Sequence, residues 1–345
     1  MKKIILSIAL CFLCINCSNT TAPNENNNNT TWVFVANEGE YDFSGQTNTG
    51  TISMIDSHGN VYETENLGDI IHSLVVYDDK LITSVNNSQK ILIFDISASG
   101  ISNKHEIQTI NALSPRELII LENKAYFGTW NSDYNIYQNT PGFIQVLNLD
   151  NLEIEESIEV GIMPEGLLIH DNFLWVANSG ESTITKIDIS SNSVFETIDV
   201  GPGPQNLIHH NDEVYVSRTF YDDTWNTFHG SSKIISSNVP SLIKNYGSGA
   251  PCGGSVMVYG NQVYRSYEGG IAPLDAELNI NTSSRIGNYS QTNVYHVEII
   301  NDNIWFAIKN GNYPGEVKVV NSNGFELNTY SVGINPGDFA FWTKQ

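Results

Sequence analysis

The chain repeats itself, and the spacing of the repeat restricts the folds open to it more than any other feature. Seven short segments share the order apolar or aromatic, apolar, small: FVAN from residue 34, ITSV from 82, YFGT from 126, WVAN from 175, YVSR from 215, YRSY from 264 and WFAI from 305. Their small residues form one column, Ala36, Ser84, Gly128, Ala177, Ser217, Ser266 and Ala307, separated by 40 to 49 residues. A recurrence of that length marks propeller blades, small sheets that bury their faces only by stacking on a neighbour. Seven copies predict seven blades.

Each copy has the same internal order. Ahead of the small column lies a turn of Asp, Asn or Gly between two apolar runs: YDDK, LENK, HDNF, HNDE, YGNQ and INDN, starting at 77, 121, 170, 210, 259 and 300. Such residues supply the positive φ that a tight hairpin requires, so each turn joins two antiparallel strands, A and B. A third run follows B in most copies (GTISMID, KILIFD, FIQVLNL, TITKIDI), then a fourth such as ESIEVG or FETIDVG. Four short strands per repeat make a blade. The last segment, INPGDFAFW (334–342), reads as a strand A without a partner, while TWVFVAN from Thr31 reads as a strand B without a predecessor. The two ends are therefore expected to share one blade and leave no open sheet edge. The fold class is all-β, a seven-bladed β-propeller over residues 31–345.

Residues 175–207, WVANSGESTITKIDISSNSVFETIDVGPGPQNL, are similar to the repeat of the YncE-like seven-bladed propellers, and weaker copies cover nearly everything after residue 31. The resemblance is specific for fold, because turn, small column, third strand and Gly-Pro lead-in recur together. It says little about function.

In an antiparallel blade the A-to-B turns lie on one face of the disc, and the B-to-C loops and blade-to-blade links on the other. The A-to-B turns are short and polar. The long loops, from 36, 128, 217 and 308, share the second face, and they are rich in aromatics. Tyr41 and Phe43 lie in the first, Trp130, Tyr134 and Tyr137 in the second, and Phe220, Tyr221, Trp225 and Phe228 in the third, RTFYDDTWNTFHGSS. Each ring presents on the order of 150–250 Å² that is unfavourable to leave in water. Polar groups among them, Arg218, Asp222, Asp223 and Asp133, would orient a ligand on apolar platforms. Tyr267, in the segment YRSY from 264, and Tyr313, in the loop from 308, complete the candidate site. The competing reading is that these rings pack beneath their own loops.

The N-terminus indicates a compartment. Lys2 and Lys3, the apolar run Ile4 to Leu13 and then CINCSNTT have the build of a secretory signal, too short to span a bilayer as a mature helix. Cys17 is the last cysteine before the composition turns polar, as in bacterial lipoprotein signals, so residues 1–16 are expected to be removed and Cys17 lipidated. Residues 17–30 then form a flexible tether. Only Cys252 would remain, which excludes an intramolecular disulfide. The formal charge of −22 becomes about −24 when Lys2 and Lys3 leave, a balance that repels nucleic acid and anionic headgroups and leaves the lipid as the only membrane attachment.

Signatures of catalysis are few. There is no His-x-x-x-His, Cys-x-x-Cys or carboxylate-rich calcium loop, and of the eight histidines only His72, His229 and His296 can approach the long-loop face. No catalytic residue, metal ligand or cofactor is assigned, and a non-enzymatic monomer is expected. The signal, tether and asparagine content resemble surface lipoproteins of the Bacteroidota, among which YncE-like propellers include a vitamin B12-capturing lipoprotein that acts as a lid over a TonB-dependent outer-membrane transporter. What the resemblance implies is capture of cobalamin or a related corrinoid and its transfer to such a transporter, at the outer membrane and on the cell surface. The alternatives are a carbohydrate- or protein-binding propeller, a lyase or lactonase at the channel mouth, or a purely structural role.

Overall fold

The computed structural model describes residues 31–42, 47–131, 140–235, 239–249 and 254–344. Strands β1 (Thr31–Asn37), β2 (Thr51–Asp56) and β3 (Val61–Glu63) form the first sheet with a strand from the far end of the chain. The second blade is β4 (Ile71–Tyr77), β5 (Lys80–Val85), β6 (Lys90–Ser97) and β7 (Gly100–Gln108), and the third is β8 (Ser114–Leu121), β9 (Lys124–Trp130), β10 (Pro141–Asn148) and β11 (Glu153–Ile162). The fourth comprises β12 (Pro164–His170), β13 (Phe173–Asn178), β14 (Thr183–Asp188) and β15 (Ser193–Asp199); the fifth, β16 (Pro204–His210), β17 (Glu213–Tyr221), β18 (Thr227–Ile235) and β19 (Val239–Ser248). The sixth has three strands, β20 (Val256–Tyr259), β21 (Gln262–Tyr267) and β22 (Gly270–Pro273). The seventh is β23 (Val294–Ile300), β24 (Asn303–Asn310), β25 (Tyr313–Val320) and β26 (Glu326–Ile334), after which β27 (Pro336–Thr343) joins β1. The chain is a seven-bladed β-propeller.

Closure follows the expected route. β27 pairs antiparallel with β1 from Thr31↔Thr343 to Ala36↔Asp338, so the two ends complete one blade. The inner strands β27, β4, β8, β12, β16, β20 and β23 each touch the next around the axis, and β23 returns to β27. Seven apolar clusters fill the seven gaps between blades. Phe34, for example, faces Leu81 and Leu92 of the second blade, while its neighbours Val33 and Val35 face Trp305 and Val317 of the seventh. Both faces of every blade are thus buried, which is why the strands read as apolar runs rather than as strict alternation. The sixth blade departs from the four-strand expectation: beyond Pro273 the chain makes only isolated bridges, Leu274↔Ile280 and Ile271↔Ile286, and a short 3-10 turn at Thr282–Ser284.

The hairpin turns adopt the conformations their residues allow. Asp171–Asn172, Asn211–Asp212, Gly260–Asn261 and Asn301–Asp302 all have positive φ at both central positions, the type I′ geometry whose twist matches that of the strands. The small column is explained by the neighbouring blade. A Cβ on Gly128 would lie 3.0 Å from the Pro164 carbonyl oxygen, and Ser217 Oγ donates to the Gly254 carbonyl at the head of the next inner strand. Larger side chains there would push the inner strands apart.

Candidate functional site

The head of the inner strand is irregular in a repeated way. In six blades one residue is extra between ladder partners: Ile71↔Val85 is followed by Ser73↔Ser84, and the same slip occurs at Pro115–Leu118, Pro164–Leu167, Pro204–Asn206, Val294–His296 and Pro336–Asp338. Each slip is a β-bulge, which bends a strand and re-aims its side chains. The bulges deliver His72, Arg116, Glu117, Glu165, Gln205, Tyr295, His296 and Asp338 to one place, the mouth of the axial channel on the face of the B-to-C loops. With Glu38, which follows β1, they line a funnel of about 260 Å³.

The groups there are held by one another. Arg116 grips Glu165 through two hydrogen bonds, Nε to Oε2 at 3.1 Å and Nη2 to Oε1 at 2.6 Å, while its guanidinium lies 4.1 Å above the Trp130 ring. Tyr295 donates its hydroxyl to Glu38, 2.9 Å from both carboxylate oxygens. His72 stands between two acids, 3.8 Å from Glu38 Oε1 and 3.9 Å from Glu165 Oε2. Asp338 Oδ2 accepts the Leu74 amide at 2.7 Å, and its Oδ1 lies 3.7 Å from His296 Nε2. Glu298, one turn of the pleat deeper on β23, brings Oε2 to 3.9 Å from the same nitrogen. His296, Glu298 and Asp338 thereby place ligand-type atoms within 4.8 Å of one another.

So many acids in a poorly hydrated space change their proton affinity. Burial, reinforced by the nearby Asp338 charge, pushes Glu117 up to about 8, so at neutral pH it is largely a protonated carboxyl beside Ser73 Oγ. Burial also raises Asp338 and Glu298. Burial alone would lower His296, but Glu298 and Asp338 overcome it and leave the imidazole above its usual value. Burial opposes the charge of Arg116 as well, and Glu165 more than restores it.

The aromatic candidates divide. RTFYDDTWNTFHGSS is not an irregular loop: β17 and β18 run on past the sheet as a hairpin, with Phe220 opposite Phe228 in stacked contact at 5.9 Å. The tip, residues 222–226, is closed by Asp222, whose Oδ1 accepts the amides of Thr224 and Asn226 at 2.9 Å each. Those bonds and the Asn226 side chain draw Asp222 down to about 2. Asp222, expected to orient a ligand, shapes the turn in this structure. At the tip Tyr221 and Trp225 remain 49% and 71% exposed, 6.0 Å apart.

Arg218, also expected to orient a ligand, lies inside the fold. It is completely buried, donating to the carbonyls of Pro202 and Lys244 and to Asn245 Oδ1, because its position on β17 points between blades. Burial and the neighbouring Arg265 bring its pKa down to about 10. Trp130 sits beside the mouth as a support, its Nε1 donating to Pro164 O at 2.9 Å beneath Arg116. Tyr41 is exposed, with its loop tied to Asn312, and Tyr313 is exposed at the start of β25. Tyr267 lines a separate cavity of about 320 Å³ with His229, Tyr246 and Arg265. Phe43, Tyr134, Tyr137, Asp133, Cys252 and Cys17 lie outside the described residues.

The histidines and carboxylates at the channel mouth form a cluster that no sequence motif showed. His72 and His296 do reach this face, and Glu38, Glu165 and Asp338, which they meet, each come as a single residue from another blade, while Glu298 shares the strand of His296. The signal lay in the register: HS, RE, EG, QN, GS, YH and GD precede the seven inner apolar runs and become one ring on folding.

No protein-family model matches the chain, and no curated protein matches it in sequence. Solved structures resemble it in shape. A functionally unknown protein from Desulfotomaculum acetoxidans superposes with a TM-score of 0.63 at 13% identity, covering 90% of this chain and 98% of that one. A protein from Lactobacillus plantarum gives 0.61 at 10% identity over 91% and 99%, and the dihydro-heme d1 dehydrogenase NirN in complex with DHE gives 0.56 at 10% over 90% and 74%. At such identities the likeness is one of fold: the chain shares the β-propeller with proteins of varied or unknown function.

Proposed function

We propose that this protein is a lipid-anchored binding propeller of the bacterial outer membrane that captures a small, hydrogen-bond-donating ligand at the mouth of its axial channel, without transforming it. The observation that carries this reading is the ring of bulges, which turns otherwise hidden strand residues into a convergent set of acceptors: Glu38, Glu165 and Asp338, with His72, Gln205 and Tyr295 between them. Several are already fixed by Arg116, Tyr295 and the Leu74 amide, so little side-chain freedom remains to be lost on binding.

A corrinoid suits this surface. Its rim of carboxamides donates N–H groups that carboxylates accept well, and its partly apolar macrocycle has Tyr221, Trp225 and Tyr41 to rest on. The funnel, about 260 Å³, admits only an edge of so large a molecule, so the ring system would lie across the mouth. Delivery to a TonB-dependent transporter is the corresponding route of uptake.

Calorimetric titration of residues 31–345, a span closed on itself by the β1–β27 ladder, with cyanocobalamin tests the proposal. The expected result is one-to-one binding, weakened by Glu38→Gln and by Trp225→Ala. Absence of heat from folded protein would remove the corrinoid, and a glycan array would then show whether the exposed aromatic pair serves sugars instead.

A further inference from the structure

We propose that His296, Glu298 and Asp338 form a binding site for a single divalent transition-metal ion of the zinc class within the axial channel. The three come from two inner strands that meet at the axis. His296 and Glu298 are alternate residues of β23 and so project to the same side, and Asp338 faces them from β27 across the gap between blades.

The distances are close to those of a filled site. Four ligands at about 2.0–2.1 Å in a tetrahedron stand roughly 3.3 Å from one another. His296 Nε2 is 3.7 Å from Asp338 Oδ1 and 3.9 Å from Glu298 Oε2, too far for hydrogen bonds and within a small side-chain adjustment of coordination.

Three further features favour a cation. Glu298 Oε2 is shielded from solvent and accepts no hydrogen bond, a state that leaves a carboxylate oxygen unsatisfied. Asp338 is pinned through its other oxygen by the Leu74 amide, the kind of outer support that orients a metal-bound carboxylate. Among the described residues the charged group that approaches Glu298 and Asp338 is His296, so two carboxylates face one imidazole. One imidazole with two carboxylates suits zinc or manganese, whereas calcium requires six or more oxygens, which the trio does not supply. Three protein ligands leave the fourth position open.

The site does not depend on the identity of the captured ligand, because it is read without one. The full chain, stripped with EDTA and with its thiols alkylated, is titrated with ZnCl₂ by calorimetry and with CoCl₂ by visible absorption. One equivalent of Zn²⁺ should bind, and Co²⁺ should give d–d bands of low-symmetry coordination that Zn²⁺ abolishes. His296→Ala and Glu298→Gln should each weaken zinc by about 10–100-fold or more. Because Glu298 Oε2 accepts no hydrogen bond and the side chain is partly exposed, its glutamine variant should keep the melting temperature of the metal-free protein. Zinc binding unchanged in both variants, no binding to folded protein, or calcium binding more tightly than zinc would each overturn the proposal. Repeating the cyanocobalamin titration on stripped protein separates this outcome from failure of the capture reading.

Discussion

Replacing Glu165 with Gln is the most direct test of how the channel mouth is held. The substitution keeps the shape and removes one charge from the Arg116 pair, whose two hydrogen bonds measure 3.1 and 2.6 Å and whose side chains are 18% and 13% exposed. At that exposure the pair feels an effective dielectric near that of a protein surface, where opposite charges 4 Å apart attract by about 4 kcal/mol before desolvation is subtracted. Hydrogen bonds to charged groups contribute about 1.5–3 kcal/mol, and leaving one member of a buried pair alone costs about 3–5 kcal/mol. The Glu165 charge also helps to hold Glu117 protonated, so its loss eases ionisation there and offsets part of the cost. A net destabilisation of about 2 kcal/mol is expected. Urea unfolding of Glu165→Gln, Arg116→Met and the double variant isolates the pair through a double-mutant cycle. A coupling of about 1.5–2.5 kcal/mol is expected, and one below about 0.5 kcal/mol would show that the contact is incidental to the mouth.

Three other outcomes follow from the same geometry. Gly166→Ala would drive a Cβ against the Gln205 carbonyl and to 2.8 Å from Asn206 Cα, so overpacking at the axis should remove about 2–3 kcal/mol, and unchanged denaturation midpoints would refute that crowding. Trp130→Ala should lower stability by about 2–3 kcal/mol through loss of its bond to Pro164 and its stack on Arg116, while Trp225→Ala should stay within about 0.5 kcal/mol; equal effects in chemical denaturation would contradict the division between support and exposed surface. His170, stacked 3.7 Å from His209 with Asp171, Asp212 and Lys186 around it, is held below its ordinary pKa by burial and by that neighbour. Its neutral form is the one the fold favours, so its contribution is present above the unfolded value of about 6.5 and is lost as pH falls through it. Melting temperatures between pH 7.5 and 5.5 should therefore decline more steeply in the native chain than in His170→Gln, and parallel declines would rule this out.

The architecture was legible in the sequence because it is written many times. The small column, the type I′ turns and the split blade each recur or complement one another, so an error at one copy is corrected by the rest. The mouth was not legible by the same reading. Glu117, Glu165, His296 and Asp338 are single residues from different blades, and each is delivered by a bulge that period-two reasoning does not anticipate. Aromatic content drew attention to the long-loop face, yet it could not distinguish Trp130, which supports Arg116, from Trp225, which meets solvent. Arg218 and Asp222 have structural parts that the sequence did not show: one lies on a continuing strand that turns it inward, and the other spends its acceptors on its own turn.

The closure of the ring also decides where its two ends leave the disc. β1 begins with Thr31 on the tight-turn face and ends beside Glu38 at the mouth, about 23 Å away at the rise of a strand. Thr31 pairs with Thr343 at that end, so both ends of the folded span leave the disc on the side opposite the channel opening. Whatever either end is joined to lies behind the disc, and a molecule bound at the mouth meets only the strand heads and the long loops.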